Sequence, residues 1–380
     1  MKHFRLAKKY FFLGIGSAIL GMFYFCTGPT SLGAAYPEAR PLVRSAAFRA
    51  RLPTQPSGLQ TIKMESSSVG FLQYPVTGWQ TNHWYVLSSG GSSVGELLHY
   101  GESGQLISRY GKRGYGPEEL THPIFLDIHD DGLFLGESGK PDIHLLDHEL
   151  NYRENLTLHT AGSIRFTTKG WFGFWSMHSP GKKGQPGYML VLLDRETGQV
   201  VKNLVPFREK KFAIALEGNA VLDGDRIYAV SVNTGCLDMI AVNTWETDRI
   251  RLERGVMVPL PWEQWRRKNR QKPSREAVEA WLSSFVRPVD ISKQNDRLYI
   301  LYAEGTRYFY DIHDLQGALL SQNHPVPIPF PRFQGRRVVG VVADEGDRQY
   351  FAYLELGHEF EGRPDRERVL AGNRKSEGSP

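Results

Sequence analysis

The sequence has very little cysteine. It contains two cysteines, Cys26 and Cys236, and only Cys236 lies in the body of the chain. A single cysteine cannot form an intramolecular disulfide, so a disulfide-stapled fold is excluded. We predict that Cys236 is a small buried apolar side chain and not a reactive thiol.

The body of the chain also lacks an excess of basic residues. The first 35 residues hold four of the 46 Lys and Arg residues and none of the 41 Asp and Glu residues. The remainder therefore has 42 basic residues against 41 acidic ones. A nearly neutral body gives no electrostatic footprint for nucleic acid, so we expect no nucleic-acid partner.

Motifs for metal binding and catalysis are sparse. His144 and His148 do not have zinc-site spacing. The densest polar group is residues 127–131, where strand alternation places Asp127 and His129 on one face as weak candidates for two metal ligands. The alternative is that residues 130–132 form a hairpin turn and His129 merely flanks it. We predict no catalytic residue, no cofactor and no metal site.

What the sequence does contain is a mixture of strand formers and turn residues. Aromatic residues make up 12% of the chain, which has 39 glycines and 22 prolines. This composition is typical of an all-β protein. A short motif recurs in which turn residues are followed by a hydrophobic residue and then an aromatic residue, as in Asp131-Gly-Leu-Phe134. Its aromatic residue falls at positions 85, 134, 172, 228, 299 and 350.

The repeated motif predicts β-hairpins that group into units of about four strands. This is the repeat pattern of the blades of a β-propeller. Six copies predict six blades over residues 57–357, and residues 59–64 would complete the last blade and close the ring. Residues 36–56 read as a linker and residues 358–380 as a disordered tail. The widest gap between copies, 71 residues, predicts an insert at residues 256–285 between blades 4 and 5.

The insert is predicted to be helical. Ser274 is a candidate N-cap, and an apolar helical face follows at Val278, Trp281, Leu282 and Phe285. Ahead of it, Trp262, Trp265 and Arg266 belong to an aromatic and basic cluster. The insert either docks these aromatics on the propeller or presents them to a partner or membrane surface; nucleic acid is disfavoured by the neutral body.

Residues 1–35 have the layout of a secretory signal. Four basic residues precede an apolar run at residues 10–26, and Gly33-Ala-Ala35 offers a cleavage site after Ala35. Three alternatives stay open: a cleaved signal, membrane anchoring through residues 10–26, and lipid attachment at Cys26. All three predict an exported protein of the periplasm or cell envelope.

The most distinctive stretch is Tyr110-Gly-Lys-Arg-Gly-Tyr-Gly-Pro-Glu-Glu-Leu120, here called the corner loop. Its three glycines permit backbone angles that a side chain would forbid, and Pro117 fixes its own φ. The pattern resembles a phosphate loop, but a strand and not a helix follows, so nucleotide binding is disfavoured. Either the loop is a structural corner, or it is a binding loop on a rigid scaffold.

The corner loop resembles the signature of the bacterial TolB-like six-bladed β-propeller family, in which an aromatic strand end precedes Gly-x-x-Gly-x-Gly-Pro-x-Glu-Leu. The resemblance is specific over residues 110–120 and extends as a repeat rhythm over about 60–357. It implies an exported or lipid-anchored envelope protein. The family has no established catalytic residues, so the resemblance implies none here.

Two classes of function follow. The first is a non-catalytic binding module for a protein, peptide or glycan, with Lys112, Arg113, Tyr115 and Glu119 as exposed contact residues and Trp262, Trp265 and Arg266 as a second surface. The second is a propeller enzyme, a lyase or lactonase-like hydrolase, with a metal held by side chains from several blades. The sequence favours the binding module, because only Asp127 and His129 suggest such a site.

Overall fold

The structure is a computed structural model. It describes residues 58–65, 76–88, 95–114, 116, 118–121, 123–137, 142–158, 162–176, 188–206, 218–232, 234–252, 254, 280–281, 284–344 and 348–356.

The described residues form six antiparallel sheets of four strands, which confirms the predicted six-bladed propeller. The first strand of the chain is β1 (Gln60–Lys63). Blade 1 contains β2 (Val76–Gln80), β3 (His83–Leu87), β4 (Leu97–Tyr100) and β5 (Leu106–Tyr110). A short parallel pair follows, β6 (Lys112–Arg113) and β7 (Glu119–Leu120).

The next four blades follow one another along the chain, each listed from its first to its fourth strand. Blade 2 contains β8 (Pro123–His129), β9 (Gly132–Glu137), β10 (Asp142–Leu146) and β11 (Tyr152–Thr157). Blade 3 contains β12 (Gly162–Thr167), β13 (Trp171–Ser176), β14 (Tyr188–Asp194) and β15 (Val200–Pro206). Blade 4 contains β16 (Gly218–Asp223), β17 (Arg226–Ser231), β18 (Cys236–Ala241) and β19 (Thr247–Arg251). Blade 5 contains β20 (Arg287–Gln294), β21 (Arg297–Glu304), β22 (Arg307–Asp314) and β23 (Leu319–Val326).

Blade 6 joins the two ends of the described chain. It contains β24 (Arg332–Gln334), β25 (Arg337–Ala343) and β26 (Gln349–Glu355), and its fourth strand is β1. Gln60 pairs with Tyr353 and Lys63 with Tyr350. The first strands of the blades contact one another in the cyclic order β2, β8, β12, β16, β20, β24 and back to β2. The ring is therefore closed by residues 60–63, as the sequence predicted.

Six apolar cores hold the ring together, one between each pair of neighbouring blades. The core between blades 6 and 1 is built on Trp84, which is fully buried and stacks on Phe351 with ring centroids 4.4 Å apart. Beside it, the Arg337 guanidinium lies 4.6 Å from the ring of Trp79 and 4.3 Å from that of Tyr353. The closing seam therefore combines stacked aromatic rings with a cation over two of them.

Most outer strands begin with a bulge. One extra residue interrupts the register with the third strand at Ile107, Arg153, Val201 and Leu320 in blades 1, 2, 3 and 5. Bulges twist a free strand edge and discourage pairing with another chain. The exposed aliphatic side chains on these strands therefore mark irregular edges and not one continuous apolar patch.

The two ends of the ring differ in their connections. Turns of two or three residues join the first and second strands of every blade, and we call this the tight-turn end. At the other end, longer segments join each blade to the next and several second strands to their third strands, for example residues 111–122 and 252–286. We call it the loop-bearing end. It receives both the corner loop and the two ends of the predicted insert.

The sixth copy of the repeated motif falls on a different strand from the others. Its aromatic residue, Tyr350, lies on the third strand of blade 6, whereas the other five aromatic residues lie on second strands. The second strand β25 follows Gly335 and has no aromatic residue, so the pattern missed it.

Cys236 is only half-buried, and its thiol donates to the Thr234 carbonyl at 3.3 Å.

The helical part of the insert is not confirmed, since most of residues 256–285 lie outside the described residues. Within the described part, Trp281 and Phe285 are buried, and their ring centroids are 5.2 Å apart. The predicted signal or anchor, the linker and the tail also lie outside that part. No helix in the described portion of the chain is long and apolar enough to span a membrane.

Candidate functional site

The corner loop connects the outer strand of blade 1 to the inner strand of blade 2. Gly111 has φ +97°, a region that side chains disfavour, and a Cβ there would lie 2.4 Å from Leu120. Gly114 serves a different purpose, because a Cβ there would collide with the Glu119 carboxylate. The glycines thus allow one left-handed turn and one close approach to a carboxylate.

The predicted contact residues of this loop do not all face solvent. Lys112 is exposed, and Arg113 lies on β6 beside it. Glu119 is half-buried, and its carboxylate accepts a hydrogen bond from the Gly116 N–H at 2.9 Å. Glu119 is therefore less exposed than expected, and its carboxylate holds the loop; its role as a contact residue stays a prediction. Tyr115 lies outside the described residues.

A buried polar network fixes both ends of the loop to blade 2. The Tyr110 hydroxyl lies 2.8 Å from Nδ1 of His144, and Nε2 of His144 lies 4.0 Å from Oε1 of Glu137. Oε2 of Glu137 accepts a hydrogen bond from the Thr121 N–H at 2.7 Å and another from the Thr121 hydroxyl. Burial, followed by the nearby Glu118, raises the pKa of Tyr110, so the phenol stays protonated. Sequence reasoning missed this network because its members are separated along the chain.

Replacing Glu137 with glutamine should loosen the corner loop. The amide removes the charge that strengthens two hydrogen bonds to Thr121, and we expect a loss of about 2 kcal/mol in the free energy of unfolding. Amide hydrogen exchange at residues 111–121 should speed up more than exchange in the blade strands. The matched control is Glu102→Gln, on an exposed turn of blade 1. Equal exchange in both variants would show that Glu137 does not hold the loop.

Around the ring axis, inner-strand side chains from five blades form a second polar group, which we call the axial cluster: Asp127, Arg165, Asn219, Asp290 and Arg332. Arg165 donates to Oδ1 of Asp127 at 3.1 Å, and Arg332 lies 3.9 Å from the same oxygen. Burial lowers the pKa of the Arg165 guanidinium, although Asp127 opposes the shift. The cluster contains two carboxylates and two guanidinium groups, so its formal charges cancel.

Asp290 links blades 4, 5 and 6 through hydrogen bonds. Its Oδ1 accepts hydrogen bonds from the Asn219 amide and, at 2.8 Å, from the Ile291 N–H. Its Oδ2 accepts from the Phe333 N–H at 2.8 Å. Burial raises the pKa of Asp290, and the Asn219 hydrogen bond is the largest effect opposing that shift. All of these donors belong to the protein itself, so both carboxylate oxygens of Asp290 already accept hydrogen bonds within the fold.

The axial cluster differs from a metal site. Asp127 faces guanidinium groups, and Nε2 of His129 lies 3.0 Å from the Ile164 carbonyl oxygen instead of meeting Asp127 around a common point. Within the ranges that the structure describes, no group of three His, Cys, Asp or Glu side chains is arranged to hold a metal ion. The weak metal interpretation of Asp127 and His129 therefore finds no support from their geometry.

Sequence reasoning missed four members of the axial cluster: Arg165, Asn219, Asp290 and Arg332. Each is a polar residue within the first four positions of the inner strand of its blade. Comparing these positions between repeats would have shown polar residues where a buried strand is otherwise apolar.

Two further sequence features lie mainly outside the described residues. Trp262, Trp265 and Arg266 of the insert are among them. Residues 91–95, Gly-Ser-Ser-Val-Gly, fit the Gly-x-Ser-x-Gly spacing of a hydrolase nucleophile. They connect β3 to β4, whereas a nucleophile elbow lies between a strand and a helix, so the context does not fit.

No protein-family model matches the chain, and no curated protein matches it either. A crystal structure described as an exported protein from Bacteroides fragilis is similar over 79% of this chain and 95% of that one, with a TM-score of 0.57 and 11% identity. BamB from Moraxella catarrhalis is matched over 81% of this chain and 90% of that one, with a TM-score of 0.39 and 10% identity. The likeness to the Bacteroides fragilis structure, at 11% identity, shows a similar fold and no more. The TolB-like family stays a prediction from residues 110–120.

Proposed function

We propose that this protein is an exported β-propeller of the cell envelope that acts as a non-catalytic binding module for a protein, peptide or glycan. The observation that carries the proposal is the asymmetry of the ring. Short turns close the tight-turn end, whereas the corner loop and both ends of the insert lie at the loop-bearing end. Rigid scaffolds commonly place binding residues on such loops.

The axial cluster supports binding over catalysis. A catalytic metal would need carboxylate, amide or imidazole groups turned toward a common open point. Here Asp127 is paired with Arg165, and Asp290 is held by a side chain and two backbone N–H groups. These side chains join neighbouring blades, so the geometry assigns them to holding the ring. The export assignment rests on the predicted signal layout of residues 1–35.

Lys112 and Lys169 provide a direct test, because both are exposed and they lie at opposite ends of the ring. Each is replaced in turn by the photo-crosslinking residue p-benzoylphenylalanine in the full-length protein, expressed in its own host. Irradiation should give discrete adducts from position 112 and none from position 169. Equal adducts from both positions, or none from position 112, would contradict a binding role for the loop-bearing end.

A further inference from the structure

Two histidines meet in blade 1, at the tight-turn end of the seam with blade 2. His83 begins β3, and His99 lies on β4. Nδ1 of His83 lies 2.8 Å from Nε2 of His99, and the ring centroids are 4.8 Å apart. His99 is only 4% exposed, whereas His83 is half-buried. Two imidazole rings therefore share one hydrogen bond at the edge of an apolar core.

Groups from both blades enclose the ring of His99. Tyr85 of β3 stacks on it with ring centroids 4.8 Å apart, and Nδ1 of His99 lies 3.2 Å from the Ser108 hydroxyl of β5. Blade 2 contributes the turn between β10 and β11, where the His148 carbonyl accepts a hydrogen bond from the Tyr85 hydroxyl at 2.9 Å. The titratable groups around the ring are His83, Tyr85, Asp147, His148 and Glu149.

The pair of histidines can hold one extra proton but not two. A neutral imidazole has one N–H donor and one acceptor nitrogen, whereas both nitrogens of an imidazolium are donors. With one imidazolium, the charged ring donates to the neutral ring and the contact persists. With two, a hydrogen on each facing nitrogen and two like charges would meet across 2.8 Å. Burial, followed by the charge of His83, lowers the pKa of His99 to about 4, and Glu149 opposes the shift.

The turn that leads into His83 is strained. Thr81 has φ +47°, a left-handed conformation that is unfavourable for a β-branched residue. Such a conformation persists only where the surrounding structure maintains it. Gln80, on the other side of the turn, pairs with His83 across the hairpin and donates to the Asp130 carboxylate of blade 2 at 3.0 Å. Loss of the histidine contact would therefore loosen a strained turn that also touches blade 2.

We propose that His83 and His99 form an acid-sensitive latch, which holds the tight-turn end of blade 1 against blade 2 at neutral pH and releases it in mild acid. Once the turn has moved away, His99 is exposed and accepts a proton with the ordinary histidine pKa of about 6.5. In the closed seam that pKa is depressed to about 4. The stability of the closed seam is therefore fully present above about pH 6.5 and is lost as the pH falls toward 4. The inference goes beyond the proposed binding role and does not depend on it.

The experiment measures amide hydrogen exchange of the full-length protein at pH 7 and pH 5, with each rate divided by the intrinsic rate at that pH. Because His99 has a pKa of about 4 in the closed seam, protection factors of residues 83–87 and 97–100 should fall about twentyfold from pH 7 to pH 5. Those of β22 in blade 5 should change less than threefold.

Two variants test whether His99 is the group that takes up the proton. His99→Gln carries no titratable ring, so its protection factors in the same segments should be nearly equal at the two pH values. His324→Gln of blade 5 is the matched control, because His324 also stacks on a tyrosine, Tyr310, and lies 2.8 Å from a serine hydroxyl, that of Ser321. This control should keep the twentyfold fall in blade 1.

The protonation of the His99 ring is followed in the wild type by imidazole nitrogen NMR, so the result does not require His99→Gln to fold. The ring should stay neutral in the closed seam down to about pH 5. The inference would be overturned by protection that is the same at pH 7 and pH 5, or by an equal fall in the wild type and His99→Gln. A His99 ring that titrates near pH 6.5 while the seam stays protected would overturn it as well.

Discussion

Deletion of residues 57–66 is expected to abolish cooperative unfolding. The deleted segment contains β1, which supplies the fourth strand of blade 6, and it removes the buried side chains of Leu59 and Met64. Burial of two such side chains contributes about 3–6 kcal/mol, before the lost strand pairing is counted. This is comparable to the whole stability of a typical domain, about 5–15 kcal/mol. The edge of β26 would also be left open to pairing with another chain.

Urea denaturation followed by tryptophan fluorescence measures this effect. The deletion variant should show a broad transition with a much reduced slope, and it should aggregate at concentrations at which the full chain is monodisperse. The matched control is removal of residues 371–380, which lie in the predicted tail and should leave the transition unchanged. A sharp transition at the original midpoint in the variant without residues 57–66 would show that the ring does not depend on β1.

The second large effect is expected at the pair formed by Asp127 and Arg165. Replacing Asp127 alone with leucine leaves a guanidinium group buried without its main partner, and we expect a loss of about 3–5 kcal/mol. The double variant Asp127→Leu/Arg165→Met removes both charges and should recover most of that loss. Oδ2 of Asp127 and Nε of Arg165 are buried without a hydrogen-bond partner in the described part of the chain, so the native pair is incompletely satisfied.

A double-mutant cycle of denaturation midpoints gives the coupling between the two residues. Asp127→Leu, Arg165→Met and the double variant are compared with the wild type under the same conditions. The Arg249 and Asp238 pair of blade 4 provides a comparison away from the axis, because the Arg249 side chain is 43% exposed and should couple more weakly. Strictly additive effects at Asp127 and Arg165 would mean that the pair does not hold blades 2 and 3 together.

Much of the ring could be predicted from local chemistry. Turns rich in Asp, Asn and Gly, each followed by an alternating apolar strand, gave the second strand in five blades. The apolar strands that end in aspartate were equally informative. Asp147 and Asp194 each accept a side-chain hydrogen bond, from Asn151 or Thr197, and backbone N–H groups of the turn that follows. These hydrogen bonds lower the pKa of both carboxyl groups, although burial opposes the shift. Such a turn needs only neighbouring residues, so a single sequence contains the whole signal.

The polar clusters could not be predicted in the same way. Tyr110 reaches the His144 and Glu137 pair of blade 2 only because blade 1 packs against blade 2, and Asp290 meets Asn219 and Phe333 from two neighbouring blades. Their spacing along the chain follows no local period. The lack of an aromatic residue in β25 likewise placed the sixth repeat one strand too late, although the number of blades was still correct.

If residues 10–26 anchor the protein in a membrane, which is one of the three alternatives for the N-terminal segment, the position of β1 decides where that anchor joins the disc. Gln60 pairs with Tyr353 near the end of β26, so the chain enters blade 6 on the outer rim, from the side of the tight turns. A tether leading from that point restrains the periphery and leaves the opposite mouth, with Lys112, directed toward the surrounding compartment. The strand that seals the ring would then also orient it.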